Sequence, residues 1–235
     1  MNLLLLSNSS SEAGYLVHAK PAIAELCAGL PAGATAAFLP YAGITRDWDT
    51  YTAMVTDALA DLPIAIEGVH RSDDPVALIQ TSRLIIVGGG NTFNLLRETR
   101  NAGLLPIITQ RVRAGEAAYL GWSAGSNLAC PTIRTTNDMP IADPGGLDAL
   151  SLVPFQINAH FTDAHPPGHR GETRRQRLAE FCTLNPTVPV LCLPEGSGLR
   201  VEGRCHALTG PHDALWMHGT TNPSNLPPGS LDLPL

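Results

Sequence analysis

No apolar run in the chain approaches the ~20 residues that a membrane-spanning helix needs. The opening residues, Met1 to Ser7, have no basic segment, and their apolar core is too short for a signal peptide. Those leucines read as a first strand. There is no C-x-x-C pair: the five cysteines (Cys27, Cys130, Cys182, Cys192, Cys205) are odd in number and scattered. That pattern argues against a disulfide scaffold or a zinc cluster and for buried thiols in a reducing cytoplasm. Lys and Arg form no dense cluster outside the 170s, and a net charge of −6 disfavours a nucleic-acid surface. Internal repeats are missing as well.

What is present suits one full-sized α/β domain. The chain has 235 residues, 44% of them hydrophobic, enough for a substantial core. Strand-like and helix-like segments alternate. Leu3 to Leu6 precedes a helical stretch from about Glu12 to Leu30, then come a strand over Ala36 to Leu39 and a helix between Asp47 and Leu59, where Trp48, Tyr51, Val55 and Leu59 recur at helical spacing. Ile64 to Ile66, a short helix at Pro75 to Thr81, Leu84 to Val87, a helix opening at Asn91 and a strand before Ser123 complete the first half. The alternation predicts a mainly parallel sheet with helices on both faces, a three-layer α/β fold. Pro131 to Leu147 reads as a long ordered loop. Phe155 to Phe161 and Val188 to Leu193 read as strands, with a charged helix from about Glu172 to Leu184 between them, and Leu199 to Val201 with Cys205 to Leu208 as a hairpin. Residues 1–218 are taken as a single catalytic domain. Residues 219–235, with several Pro, Ser and Asn and no periodicity, are expected to be an extended or disordered tail.

The most informative segment is Gly121-Trp122-Ser123-Ala124-Gly125. A G-x-S-x-G turn between strand and helix exposes a serine hydroxyl, and the flanking glycines tolerate the crowding. Ser123 is therefore the candidate nucleophile. A serine needs a base held by a carboxylate. His160, in Asn158-Ala159-His160-Phe161 at the end of a strand-like run, is the candidate base. Two acids compete to orient it: Asp138, on the loop after the elbow, and Glu195, after the next strand. Triads are defined by geometry, and the sequence leaves both open.

Gly88-Gly89-Gly90-Asn91 follows a strand but lacks the Gly-Lys-Ser/Thr of a P-loop, and Phe93 stands where a dinucleotide motif needs glycine. An oxyanion hole is the alternative: Gly89 or Gly90 would give one backbone N–H and Ala124 the other. His165 and His169 have metal-like spacing, but Pro166-Pro167-Gly168 breaks any helix between them, so no metal is expected. Arg174, Arg175 and Arg177 suit a solvated helix face, unless one turns inward to hold a substrate carboxylate.

Together with Thr135-Thr136-Asn137-Asp138-Met139-Pro140 and Gly171-Glu172-Thr173-Arg174, these motifs resemble the peptidase E family of α-aspartyl dipeptidases, over residue 2 to about residue 217. The resemblance implies a fold like that of class I glutamine amidotransferases, with serine in place of their cysteine. It also implies metal-free, cofactor-free hydrolysis of Asp-X dipeptides in the cytoplasm, and it leaves room for a homodimer. By position, Ser123 matches the nucleophile, His160 the base, Asp138 the acid usually assigned and Glu195 a second acid that relatives place beside the histidine. Arg174 matches the arginine paired with the substrate's aspartyl carboxylate, and Asn91 is carried over with it as substrate-binding. Ala159 and Ser126 depart from the family pattern at positions without a catalytic role. A serine esterase or other amide hydrolase on the same fold, or a catalytically inactive binding module, are the alternatives.

Overall fold

The computed structural model describes residues 1–164, 167–168 and 170–233. His165 and His169 lie outside them. β1 (Asn2–Leu6) runs through the middle of the main sheet. A small hairpin, β2 (Ser10–Ser11) and β3 (Gly14–Tyr15), then precedes α1 (Lys20–Cys27). The helix expected from Glu12 thus begins later. Gly14 (φ 124) and Leu16 (φ 58) take left-handed values that no helix accommodates, and Pro21 sits in the first turn. The alternation then proceeds through β4 (Ala34–Leu39), α2 (Trp48–Ala58), β5 (Ile64–Gly68), α3 (Pro75–Thr81) and β6 (Leu84–Val87). Side chains cap both helices: Asp47 accepts the Thr50 N–H and Asp74 that of Ala77. The helix that Asn91 caps is two helices, α4 (Thr92–Asn101) and α5 (Leu104–Arg113), parted at Gly103 with φ 69. β7 (Ala118–Trp122) leads into α6 (Ala124–Leu128).

Five strands form a parallel block in the order β1-β7-β6-β4-β5. Strand periodicity sorts the side chains. Leu3, Leu5, Ile85 and Val87 pack on one face with Leu95, Leu96 and Ile108 of α4 and α5, whereas Leu4, Leu6, Leu84 and Ile86 pack on the other with Ile23, Leu26 and Val55 of α1 and α2. The result is the expected three-layer α/β architecture.

The remaining strands are β8 (Gln156–Asn158), β9 (Val190–Cys192), β10 (Gly198–Glu202), β11 (Cys205–Thr209), β12 (Ala214–Met217), β13 (Ser224–Leu226) and β14 (Gly229–Leu231), with α7 (Arg174–Leu184) between β8 and β9. β10 and β11 are the expected hairpin; β10 joins β1 antiparallel and β14 extends the same eight-stranded sheet beyond β11. A second sheet has the order β13-β12-β9-β8. Part of the segment read as a tail is therefore paired: Ser224–Leu226 and Gly229–Leu231 are strands at the edges of the two sheets, where a solvated face leaves no hydrophobic alternation to detect. The 131–147 segment has no regular element but is tied down: Thr135 donates to the Ile157 carbonyl (2.9 Å) and Asn137 to that of Ala159 (2.8 Å). Among the described residues, no helix is long and apolar enough to cross a membrane.

Candidate active site

Ser123 stands at the end of β7 with φ 51 and ψ −112, a conformation L-residues rarely adopt. The neighbouring glycines make that turn possible. A Cβ on Gly125 would lie 2.1 Å from the Val87 carbonyl oxygen, and one on Gly121 would lie 2.7 Å from the Gly125 backbone. Any side chain at either position would push β6, β7 and α6 apart. The Ser123 N–H is anchored on the Leu6 carbonyl at 3.0 Å. Ser126, the departure from the family pattern, gives its hydroxyl to backbone oxygens of Leu6 (2.7 Å) and Gly121 (3.1 Å), so it braces the elbow.

Facing the serine is His160, also a non-glycine residue at positive φ (54). Its Nε2 lies 2.9 Å from Ser123 Oγ, and its Nδ1 lies 2.7 Å from Glu195 Oε1. An ionised carboxylate only accepts, so Nδ1 carries the proton and the Nε2 lone pair faces the serine hydroxyl. The ring's backbone is held as well: the His160 N–H donates to Ser7 Oγ (2.8 Å), and Ser7 donates to the Leu193 carbonyl (2.8 Å). Glu195 follows β9 on a turn in which Gly196, at φ 80, donates its N–H to Asn8 Oδ1 (2.8 Å).

Asp138 stands elsewhere. Its Oδ2 accepts from the Thr92 N–H (2.7 Å), the Thr92 hydroxyl (2.5 Å) and the Thr136 hydroxyl (3.1 Å), at the N-terminus of α4. The alternative of Asp138 as partner of the imidazole is therefore corrected: Glu195 occupies Nδ1, and Asp138 anchors the loop to α4. All three bonds fall on Oδ2, and among the described residues Oδ1 meets no donor. Asn91 also serves the scaffold. Its Oδ1 accepts the Asn94 N–H (3.0 Å), and its Nδ2 donates to the Met139 carbonyl (2.8 Å).

The glycine loop lies against the elbow; a Cβ on Gly89 would come within 3.1 Å of Ser123 Cβ. Gly90 takes φ 138, and a Cβ there would meet the Ala42 carbonyl oxygen at 2.2 Å. The Gly88 and Asn91 N–H groups bond to Leu39 and Ala42 carbonyls. Among the described residues, the N–H groups of Gly89, Gly90 and Ala124 meet no acceptor. Tyr51 fixes the loop from behind. Its hydroxyl donates to the Gly89 carbonyl (3.0 Å) and accepts from Trp122 Nε1 (3.1 Å) and the Tyr15 hydroxyl (3.4 Å). One proton and two lone pairs are thus all used. The sequence marked Tyr51 only as one position on a helix face, and nothing in that spacing reveals what its hydroxyl holds.

Two cavities adjoin the site. One, of about 700 Å³, is lined by Ser123, His160, Gly89, Gly90, Tyr51 and Arg46. The other, of about 690 Å³, holds Arg134, Arg174, Arg177 and Asn158. Asp138 lines both. Of the three arginines opening α7, Arg175 pairs with Asp163, whereas Arg174 turns inward and donates to the His160 carbonyl. Burial and then Arg177 lower the Arg174 guanidinium below its ordinary pKa, and Glu195 opposes them. Arg46 was missed in the sequence, although loops at the carboxyl ends of parallel strands are where α/β folds place ligands.

A parallel sheet, a serine at a strained elbow and an imidazole bridging it to a carboxylate define an α/β serine hydrolase. Residues 3–208 match the family Peptidase family S51. Proteins named Peptidase E from Salmonella newport (strain SL254), Salmonella typhimurium (strain LT2) and Escherichia coli O6:K15:H31 are each 52% identical over 213 residues, which cover 90% of this chain and 91% of theirs. The chain belongs to peptidase family S51 and is a serine peptidase. Two solved structures share its fold: a peptidase E protein from Listeria monocytogenes EGD-e (TM-score 0.67, 21% identity, 89% of this chain and 98% of that one) and a peptidase from an acI-B1 actinobacterium (0.70, 14%, 99% and 96%).

Proposed function

We propose that the chain is a dipeptidase specific for an N-terminal aspartate, hydrolysing Asp-X through an acyl-enzyme on Ser123. His160 takes the Ser123 proton as Oγ attacks the peptide carbonyl, and Glu195 orients the imidazole and balances its developing charge. The tetrahedral oxyanion is received by the Ala124 N–H and one of the Gly89 and Gly90 N–H groups. His160 then protonates the leaving amine, and water releases aspartate by the same steps.

Substrate charge is matched across the two cavities. Arg174 receives the aspartyl side-chain carboxylate, where partial burial strengthens a charge-assisted pair. Asp138, shared by both cavities and with Oδ1 free, receives the substrate ammonium. The observation that carries the reading is the imidazole bridging Ser123 Oγ at 2.9 Å and Glu195 Oε1 at 2.7 Å. The test is a panel of Asp-X, Glu-X, Asn-X and Ala-X dipeptides with chelator present, run on the wild type and on Ser123→Ala. Selective, chelator-insensitive hydrolysis of Asp-X that vanishes in a folded Ser123→Ala protein is the expected result. Normal turnover by that variant, or indifference to the first residue, would overturn the proposal.

A further inference from the structure

The cavity that holds Ser123 contains a cation that the catalytic reading does not use. Arg46, in the loop between β4 and α2, lines it together with Ile44, Ile141 and the glycine loop. Its guanidinium lies over the Tyr51 ring, 5.5 Å from the centroid. Burial pushes the Tyr15 and Tyr51 phenols up, the Arg46 charge opposes it at both, and all three residues line this cavity.

The acids nearest in sequence are already engaged. Asp47 accepts the Thr50 N–H and hydroxyl, both at 2.7 Å, and Asp49 pairs with His70 (2.9 Å) and Arg71 (2.5 Å). Among the described residues, Arg46 has no hydrogen-bond or ion-pair partner. The same cavity is lined by two large apolar side chains left in solvent, Ile44 at 51% exposure and Ile141 at 57%. An unpaired guanidinium next to an apolar rim suits a group carrying a carboxylate and a hydrocarbon side chain.

The inference rests on the Asp-X reading, in which the first residue lies toward Arg174 and Asp138. The second residue must then extend from Ser123 into this cavity. We propose that Arg46 binds the free C-terminal carboxylate of that second residue while Ile44 and Ile141 contact its side chain, so the favoured substrate is an unblocked dipeptide of aspartate and an apolar residue. Each further residue would carry the carboxylate ~3.3–3.6 Å farther from the serine. Arg46 therefore also sets the length limit.

The test measures kcat/KM for Asp-Leu, Asp-Leu amide and Asp-Asn, the last nearly isosteric with Asp-Leu. The wild type should favour Asp-Leu over its amide about ten-fold, mostly through KM, as expected for one exposed charge-assisted contact. Arg46→Gln should bring that ratio near one, and Arg46→Lys, which keeps the charge but not the fork, should recover part of it. Asp-Leu should exceed Asp-Asn several-fold. A wild-type ratio near one, a ratio untouched by Arg46→Gln, or a preference for Asp-Asn would overturn the inference and leave the catalytic reading standing. A wild type inactive on all three substrates would overturn both.

Discussion

Replacing Glu195 by glutamine isolates the charge on the orienting group. Glutamine keeps the chain length and a carbonyl oxygen that can accept from His160 Nδ1, so the 2.7 Å contact survives while the negative charge is lost. A hydrogen bond to a charged group is worth about 1.5–3 kcal/mol. This one is wet: the Glu195 side chain is 66% exposed and that of His160 39%. Water screens the charge, and the lower end applies. At about 1.4 kcal/mol per factor of ten, kcat for Asp-Leu should fall roughly ten-fold, with KM little changed. A buried triad carboxylate costs ~10⁴ on the equivalent change, so exposure and not mere presence sets the magnitude. The assay is release of leucine at saturating substrate. Asp138→Asn is the control, and it should act mainly by raising KM, since its carboxylate is proposed to hold the substrate ammonium. A loss above ~10³ for Glu195→Gln would mean that solvent does not screen the pair. A loss under two-fold, or a larger kcat effect from Asp138→Asn, would remove Glu195 from its role.

Tyr51→Phe keeps the ring and deletes the hydroxyl that donates to the Gly89 carbonyl. A folded protein with kcat lowered about ten-fold and unchanged product affinity is expected, because losing an oxyanion donor outright costs ~10²–10³ and a loosened loop only part of that; wild-type kcat would show that the loop holds itself. Burial pushes the Cys27 thiol up to about 11 and Cys130 up to about 12, whereas Cys205 is exposed. Raised values keep both buried thiols protonated until the pH nears those numbers, so iodoacetamide at pH 8 should modify Cys205 in the native protein and leave those two untouched. Peptide mapping that finds Cys130 alkylated without unfolding would refute this.

The first half of the fold was legible because each element there carries its own period. Leu84 to Val87 and Pro75 to Thr81 coincide with β6 and α3. The start of α1 was not, because left-handed backbone at Leu16 leaves no pattern in a leucine. β13 and β14 were hidden by short, polar edge strands. At the site, the elbow was legible because its glycines answer to local sterics, the 2.1 Å between a Gly125 Cβ and Val87 among them. The choice between Glu195 and Asp138 was not, since each sits on a loop whose direction depends on distant partners. Asp138 is aimed by Thr92, and Glu195 by the turn that Asn8 secures. Arg46 and Tyr51 escaped for the same reason: their meaning lies in what other parts of the chain bring near them.

The hydrogen bond from the His160 N–H to Ser7 Oγ reaches across the sequence, and β1 is flanked on one side by β7 and on the other by β10. A polypeptide emerging from the ribosome would display its serine long before the imidazole, the carboxylate and the strand that locks β1 had been made. On the proposed mechanism, peptide cleavage thus awaits synthesis at least as far as Glu195.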